Sequence, residues 1–236
     1  MRRRSRLGGC LVGSVVILLS AGILGFVVVR IHNGVTIPVG AHPTIISTSC
    51  NGPVLIQAGA VNQVTITNSF FPQYTQDQAT NTLEFTECDS GLTLTVPPEA
   101  NLQMDVNDAI TVLGVSGTMK LSANGSRITL EQVTLEGSSH IEDNGSAIVF
   151  AGQLSPGNST TLSDNGGSID VTLPANASLH LTVSGILGPI TSNVPGVQNP
   201  GSLTGGGLQV NVGSTPAAAT LTLDLNDTSV VFNKTA

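Results

Sequence analysis

Three Asn-Gly pairs recur in this chain at an almost constant interval: Asn124-Gly125, Asn144-Gly145 and Asn165-Gly166, in steps of 20 and 21 residues. The flanking residues repeat with them. Ser122-Ala123-Asn124-Gly125-Ser126-Arg127-Ile128-Thr129-Leu130 aligns with Glu142-Asp143-Asn144-Gly145-Ser146-Ala147-Ile148-Val149-Phe150. A third copy runs from Ser163 to Val171, and Gly117, Gly137 and Gly157 lead the three corners by 7, 7 and 8 residues, the extra residue falling before the third corner. Asn and Gly tolerate the left-handed backbone region that a sharp corner requires. A unit this short cannot bury one face or satisfy both strand edges alone, but stacked neighbours can do both. The spacing therefore predicts an all-β chain, a single-stranded β-helix or solenoid-like stack with rungs of ~20 residues. The competing architecture is an antiparallel sandwich of plain hairpins, for which Asn-Gly is also a strong local signal. Hairpins alone do not demand a constant period with a leading glycine in phase.

Alternating apolar residues mark the strands on either side of each corner. Met119 and Leu121 precede the first corner, and Ile128 and Leu130 follow it. Ile141 precedes the second, followed by Ile148 and Phe150; Leu162 precedes the third, followed by Ile169, Val171 and Leu173. Val133 and Leu135 read as a further short strand. Leu179, Leu181 and Val183 read as a degenerate fourth copy, with Ser184-Gly185 at its corner. Upstream, alternation begins near Ile45 and continues through Val54, Ile56, Val64, Ile66, Leu83, Phe85, Leu92, Leu94 and Val96. Phe70 to Asp77 breaks the pattern and reads as a loop or extension. Val194 to Ala219, rich in Gly, Pro, Ser and Ala, reads as a loop-laden terminal rung. Leu221, Leu223, Leu225, Val230, Val231 and Phe232 then form the last strands and close the stack.

Charge divides the chain sharply. Five of the eight basic residues, Arg2, Arg3, Arg4, Arg6 and Arg30, lie in the first 30 positions. Beyond them, Lys120, Arg127 and Lys234 face all 15 acidic residues, so segment 31–236 carries −12 with His neutral. Such a surface repels phosphate backbones, which argues against nucleic-acid binding. Leu7 to Val29 carries no charge over 23 residues. As a helix it would extend ~34 Å, enough to cross a hydrocarbon core of ~30 Å. The preceding arginines would keep the N-terminus cytoplasmic. The expected organisation is a cytoplasmic stub (1–6), one transmembrane α-helix (7–29), a linker (30–44) and an extracytoplasmic β ectodomain (45–236), a single-pass protein of the cell membrane. A cleaved signal peptide is the alternative, although the apolar run exceeds the usual 7–15 residues of such segments. Leu7-Gly8-Gly9-Cys10 imitates a lipoprotein box, but its apolar stretch follows the cysteine instead of preceding it. Cys50 and Cys88 both fall outside the membrane, where they could form a disulfide or remain two buried thiols.

The repeat resembles the bacterial putative-adhesin domain family. The residues that carry the resemblance are Asn-Gly-Ser at 124–126 and 144–146. The fullest match is Asn165-Gly166-Gly167-Ser168-Ile169-Asp170-Val171-Thr172-Leu173-Pro174, with Ser184-Gly185 after it. It covers about residues 50–232 and is strongest from 110 to 190. The resemblance implies a β-solenoid behind a membrane anchor and an adhesin-like role. Its motifs are structural turns, so it brings no catalytic or binding residues with it.

Candidate chemistry is sparse. His140 and His180 lie 40 residues apart, about two rungs or ~10 Å along a stack. That is too far for one zinc ion, whose nitrogen ligands sit ~2 Å from it. The acidic groups Asp105/Asn107/Asp108, Glu142/Asp143 and Asp224/Asn226/Asp227 match no calcium loop and read as solvated turn residues. Sugar-cleaving enzymes use paired carboxylates beside aromatic platforms, and this chain has one Tyr and no Trp. Six Asn-x-Ser/Thr sequons are present, at Asn124, Asn144, Asn158, Asn176, Asn226 and Asn233. The sequence thus points to a non-enzymatic, membrane-anchored adhesin-like or scaffold protein, without cofactor or metal, binding an unidentified surface or protein ligand. An envelope sensor and, further off, a β-helix polysaccharide-active enzyme are the alternatives.

Overall fold

The computed structural model describes residues 34–67, 73–88, 90–194, 197, 207–213 and 217–235. The expected transmembrane segment 7–29 and the stub before it lie outside the described residues. Among the described residues the chain is all-β, with 19 strands in one hydrogen-bonded sheet and no helix. The strands are β1 (Val35–Pro38), β2 (Thr44–Cys50), β3 (Val54–Ala58), β4 (Gln63–Ile66), β5 (Gln73–Asp77), β6 (Thr82–Glu87), β7 (Leu92–Val96), β8 (Asn101–Val106) and β9 (Ile110–Leu113). They continue with β10 (Ser116–Gly117), β11 (Met119–Asn124), β12 (Ile128–Leu135), β13 (Ser138–Asn144), β14 (Ala147–Leu154), β15 (Ser159–Asn165) and β16 (Ser168–Leu173). The last three are β17 (Leu179–Ser192), β18 (Leu208–Val212) and β19 (Ala219–Lys234). β1 lies within the 30–44 stretch read as linker.

Two parallel ladders organise the sheet. In the first, the strands follow one another as β6, β2, β8, β11, β13, β15, β19 and β17. In the second they follow as β7, β3, β9, β12, β14, β16, β19 and β17. β17 and β19 each run past the corner as one strand and so belong to both. The register keeps equivalent residues of the repeat opposite one another. Ile128, Ile148, Ile169 and Val230 form one buried column, and Leu130, Phe150, Val171 and Phe232 form the next. On the first ladder, Leu121, Ile141, Leu162, Leu223 and Val183 form the matching inward column. Strand alternation puts every second side chain on this inner side. Each fully buried Ile, Leu or Phe contributes roughly 1.5–3 kcal/mol by leaving water.

At both ends the order in space departs from the order in sequence. β2 and β3 sit between β6–β7 and β8–β9. β19 sits between β15–β16 and β17. Leu221 to Phe232 are therefore not outermost in the sheet, contrary to the expectation that they close a stack; β17 is the outer parallel strand. The corner chemistry explains the preference. Asn226 in β19 lies opposite Asn165 and donates from Nδ2 to its Oδ1 at 2.7 Å, and the Thr228 hydroxyl donates to the Asp164 carboxylate at 2.9 Å. β17 offers neither group. Its Gly185 lies opposite Leu225, one position before the corner, where an added Cβ would collide with the Leu225 carbonyl. Ser184-Gly185 is thus not a fourth copy of the Asn-Gly corner.

Antiparallel strands cover both ends. β5 pairs with β6, β4 with β7, β1 with β4, and β18 with Leu179–Val183 of β17. They occupy edges that would otherwise present unpaired backbone groups. Gln73–Asp77, expected as loop, is therefore a strand, and Leu208–Val212 is a strand inside the expected loop-laden stretch. Tyr74 of β5 lays its ring against Phe85, centroids 6.1 Å apart. Val133 and Leu135 belong to β12 and not to a separate strand. A bulge at Gln132 (φ 55°) shifts the register and returns the two apolar residues to the inner side. A disulfide joins Cys50 at the end of β2 to Cys88 just after β6, with Cα atoms 5.0 Å apart.

Candidate functional site

The Asn-Gly corners form one edge of the first ladder. Asn124, Asn144, Asn165 and Asn226 lie opposite one another in register. Gly125, Gly145 and Gly166 take φ of 75°, 95° and 88°, a region closed to most side chains. The corners are tied along the ladder. The Gly125 N–H donates to the Asn144 carbonyl and the Gly166 N–H to the Asn226 carbonyl, each at 2.8 Å. Near the other end, Asn107 donates from Nδ2 to Asn51 Oδ1 at 3.0 Å. The structure therefore gathers all three sequence-identified corner pairs on one edge and adds Asn226, which the period alone does not find.

Beside this edge, the outer side of the first ladder carries two polar columns. One reads Asp105, Ser122, Glu142, Ser163, Asp224 and Ser184 across successive strands. Its carboxylates recur at every second strand, ~10 Å apart at normal strand spacing. The other reads Gln103, Lys120, His140, Thr161, Thr222 and Thr182. His140 Nε2 lies 3.6 Å from Glu142 Oε2, with both side chains about half exposed. An exposed pair of this kind contributes little to stability. No Phe, Tyr or Trp interrupts these columns. The outer side of the second ladder is less polar, with Leu55, Thr111, Thr129, Val149, Asp170 and Val231 in its matching column.

Two expectations about chemistry change. His140 and His180 are not simply two rungs apart: β15 and β19 both intervene, and His180 lies in the column of Ser138, Ser159 and Thr220. Their separation along the ladder is three strand spacings, ~14 Å. His180 Nδ1 instead meets Asn211 Oδ1 of β18 at 2.9 Å. The Glu142/Asp143 pair is not a solvated turn. Glu142 faces out, but Asp143 is fully buried, and so is Asp164, its neighbour in the next copy. Strand parity accounts for this, since Ile141 and Asp143 share the inner side. Desolvation raises the pKa of both carboxyls, and the adjacent Asp164 charge raises that of Asp143 further. Among the described residues, no three His, Cys, Asp or Glu side chains converge as a metal site would require.

No family model matches the chain. No curated protein matches it either. Among solved structures, the chain is similar to a protein of Clostridium sporogenes ATCC 15579 described as a "putative cell adhesion protein". The two are 12% identical over 86% of this chain and 99% of the other, with a TM-score of 0.44.

Proposed function

We propose that this chain is a non-enzymatic, adhesin-like or scaffold ectodomain, held outside the cell membrane by residues 7–29. In this reading the two parallel ladders are walls of one solenoid, the Asn-Gly pairs are its corners, and the antiparallel strands are its end caps. The observation that carries the proposal is the outer side of the first ladder, with small hydroxyls, amides and carboxylates in regular columns. Such a face makes many weak polar contacts and lacks the aromatic anchors that dominate tight interfaces, so it gains affinity by multiplicity. The uncharged 7–29 run after four arginines supports the anchor and its orientation. The Cys50–Cys88 disulfide suits an oxidising compartment. Burial of Asp143 and Asp164 withholds from any substrate the carboxylate pair that stands in register on adjacent strands.

The test compares valency. Full-length protein is placed at one copy per nanodisc or at many copies per vesicle and offered to cell surfaces and immobilised glycans. Retention of the vesicles with poor retention of the nanodiscs is the expected result. Equal, tight binding by single copies would contradict the multivalent reading. Reproducible glycan hydrolysis or elimination that disappears in Glu142→Gln would replace it with an enzymatic one.

A further inference from the structure

Two acidic side chains lie inside the molecule without a role in the surface just described. Asp143 on β13 and Asp164 on β15 are opposite one another in register, so their backbones are ~4.8 Å apart. Asp143 is 0% exposed and Asp164 2%. Each commits one oxygen to its own corner. Asp143 Oδ2 accepts the Ser146 N–H at 2.9 Å. Asp164 Oδ2 accepts the Gly167 N–H at 3.0 Å and the Thr228 hydroxyl at 2.9 Å. Each leaves Oδ1 buried without a hydrogen-bond partner.

An ionised carboxylate can only accept hydrogen bonds. Two of them side by side and dry would combine two orphaned acceptors with two like charges. No nearby cation relieves this. The same column continues into Ala123 on one side and Leu225 on the other. Around the packed strands, Lys120 of β11, Arg127 just before β12, Glu131 of β12, and Asp224 and Asp227 of β19 are all exposed. Asp170 of β16 faces outward, as do His140 and Glu142 on β13 itself. Calcium would want six to eight oxygens. A proton is the one positive charge that fits, because on one carboxyl it becomes the donor for the other.

We propose that Asp143 and Asp164 share a single proton between their Oδ1 atoms, as a buried carboxyl–carboxylate pair that makes this corner of the molecule pH-sensitive. The raised affinity of both carboxyls for protons, caused first by burial, agrees with it. The pair titrates as a unit and not as two independent residues. The sign follows from linkage. The folded molecule keeps a proton that the unfolded chain releases near the ordinary value of 3.8. The stabilisation is therefore complete below that range and is lost as pH rises through the raised folded value. Above it the corner between β13 and β15 holds two charges and weakens.

Thermal unfolding of the full-length chain between pH 5 and pH 8.5 tests the pair. Asp143→Asn and Asp164→Asn each replace the titrating proton with a permanent amide donor. Either variant should unfold ~2–4 °C above wild type at pH 8.5, and the gap should shrink towards pH 5. The double Asn variant sets two donors against each other and should lose that gain. A single-Asn offset that is absent at pH 8.5, or that does not change with pH, overturns the proposal. Carboxyl carbon NMR of the wild type provides a reading that needs no stable variant. The pair should titrate above the ordinary range, and two independent titrations near the ordinary value would overturn the shared proton. A fall in wild-type Tm on adding a chelator would instead assign the site to a metal ion.

Discussion

From Met119 to Leu173 each strand pair lies on the pair that precedes it in sequence, whereas at both ends one pair is inserted between two others. The two regions use the same chemistry. Asn165 meets Asn226 across 61 residues, and Asn107 meets Asn51 across 56, while the middle corners meet at intervals of 20 and 21. On the second ladder one inward column, Leu92, Val54, Ile110, Ile128, Ile148, Ile169 and Val230, runs through both regions without a break. The difference lies in connectivity. Where the spatial neighbour is also the next copy along the chain, corner chemistry appears as a period. Where it is not, the same chemistry is present without one.

Removing Ala219–Lys234 distinguishes an inserted pair from a cap most sharply. As an inserted pair, β19 supplies partners to β15, β16 and β17, so its loss should abolish cooperative unfolding of everything beyond Asn144. Circular dichroism and amide exchange would show this, and a truncated chain with β17 still protected would make β19 dispensable. Next in size, Phe232→Ala at the inserted end and Ile148→Ala in the middle should each destabilise by about 2–5 kcal/mol in denaturant titrations, since both side chains are essentially unexposed. A much smaller effect at Phe232 would mean that the ends are packed more loosely than the repeats. Breaking the disulfide with Cys88→Ser should cost about 2–4 kcal/mol, as its closed loop spans 38 residues. Equal denaturation midpoints with and without reductant would rule out that contribution. Smallest, Ser146→Ala should stay within about 0.5 kcal/mol: the backbone N–H of this residue, not its hydroxyl, binds Asp143. A loss as large as that at Ile148 would undo the assignment of inner and outer sides.

What the sequence made legible follows from this contrast. Alternation exposed the inward residues Ile141, Ile148, Phe150 and Ile169, and the period exposed the three corners. The site of β19 was hidden because nothing near Asn226 identifies Asn165 as its partner. The capping strands were hidden for another reason. Gln73–Asp77 is almost wholly exposed and Leu208–Val212 only weakly patterned, so neither carries the alternation that marks a buried strand. Asp143 could have been placed. Its even spacing from Ile141 puts it on the inner side, but a carboxylate beside Asn-Gly looks like an ordinary turn residue. The outer polar columns were visible only as an excess of Ser, Thr and Asn until the register aligned them.

The inserted position of β19 also bears on how the molecule is assembled as it is synthesised. A simple stack can grow by adding each new strand pair to the last, and each addition is local. Here such growth proceeds through the repeats and stops at Leu173. The stretch Leu179–Ser192 emerges next from the ribosome, but its parallel partner is Ala219–Lys234, which is made later. Until then the edges of β15 and β16 are unfilled and β17 has no parallel neighbour. Completion of this end is therefore a single late event that closes two interfaces at once. Contacts over such long sequence separations form slowly, so the late closure of this end is expected to be slower than growth of the regular middle.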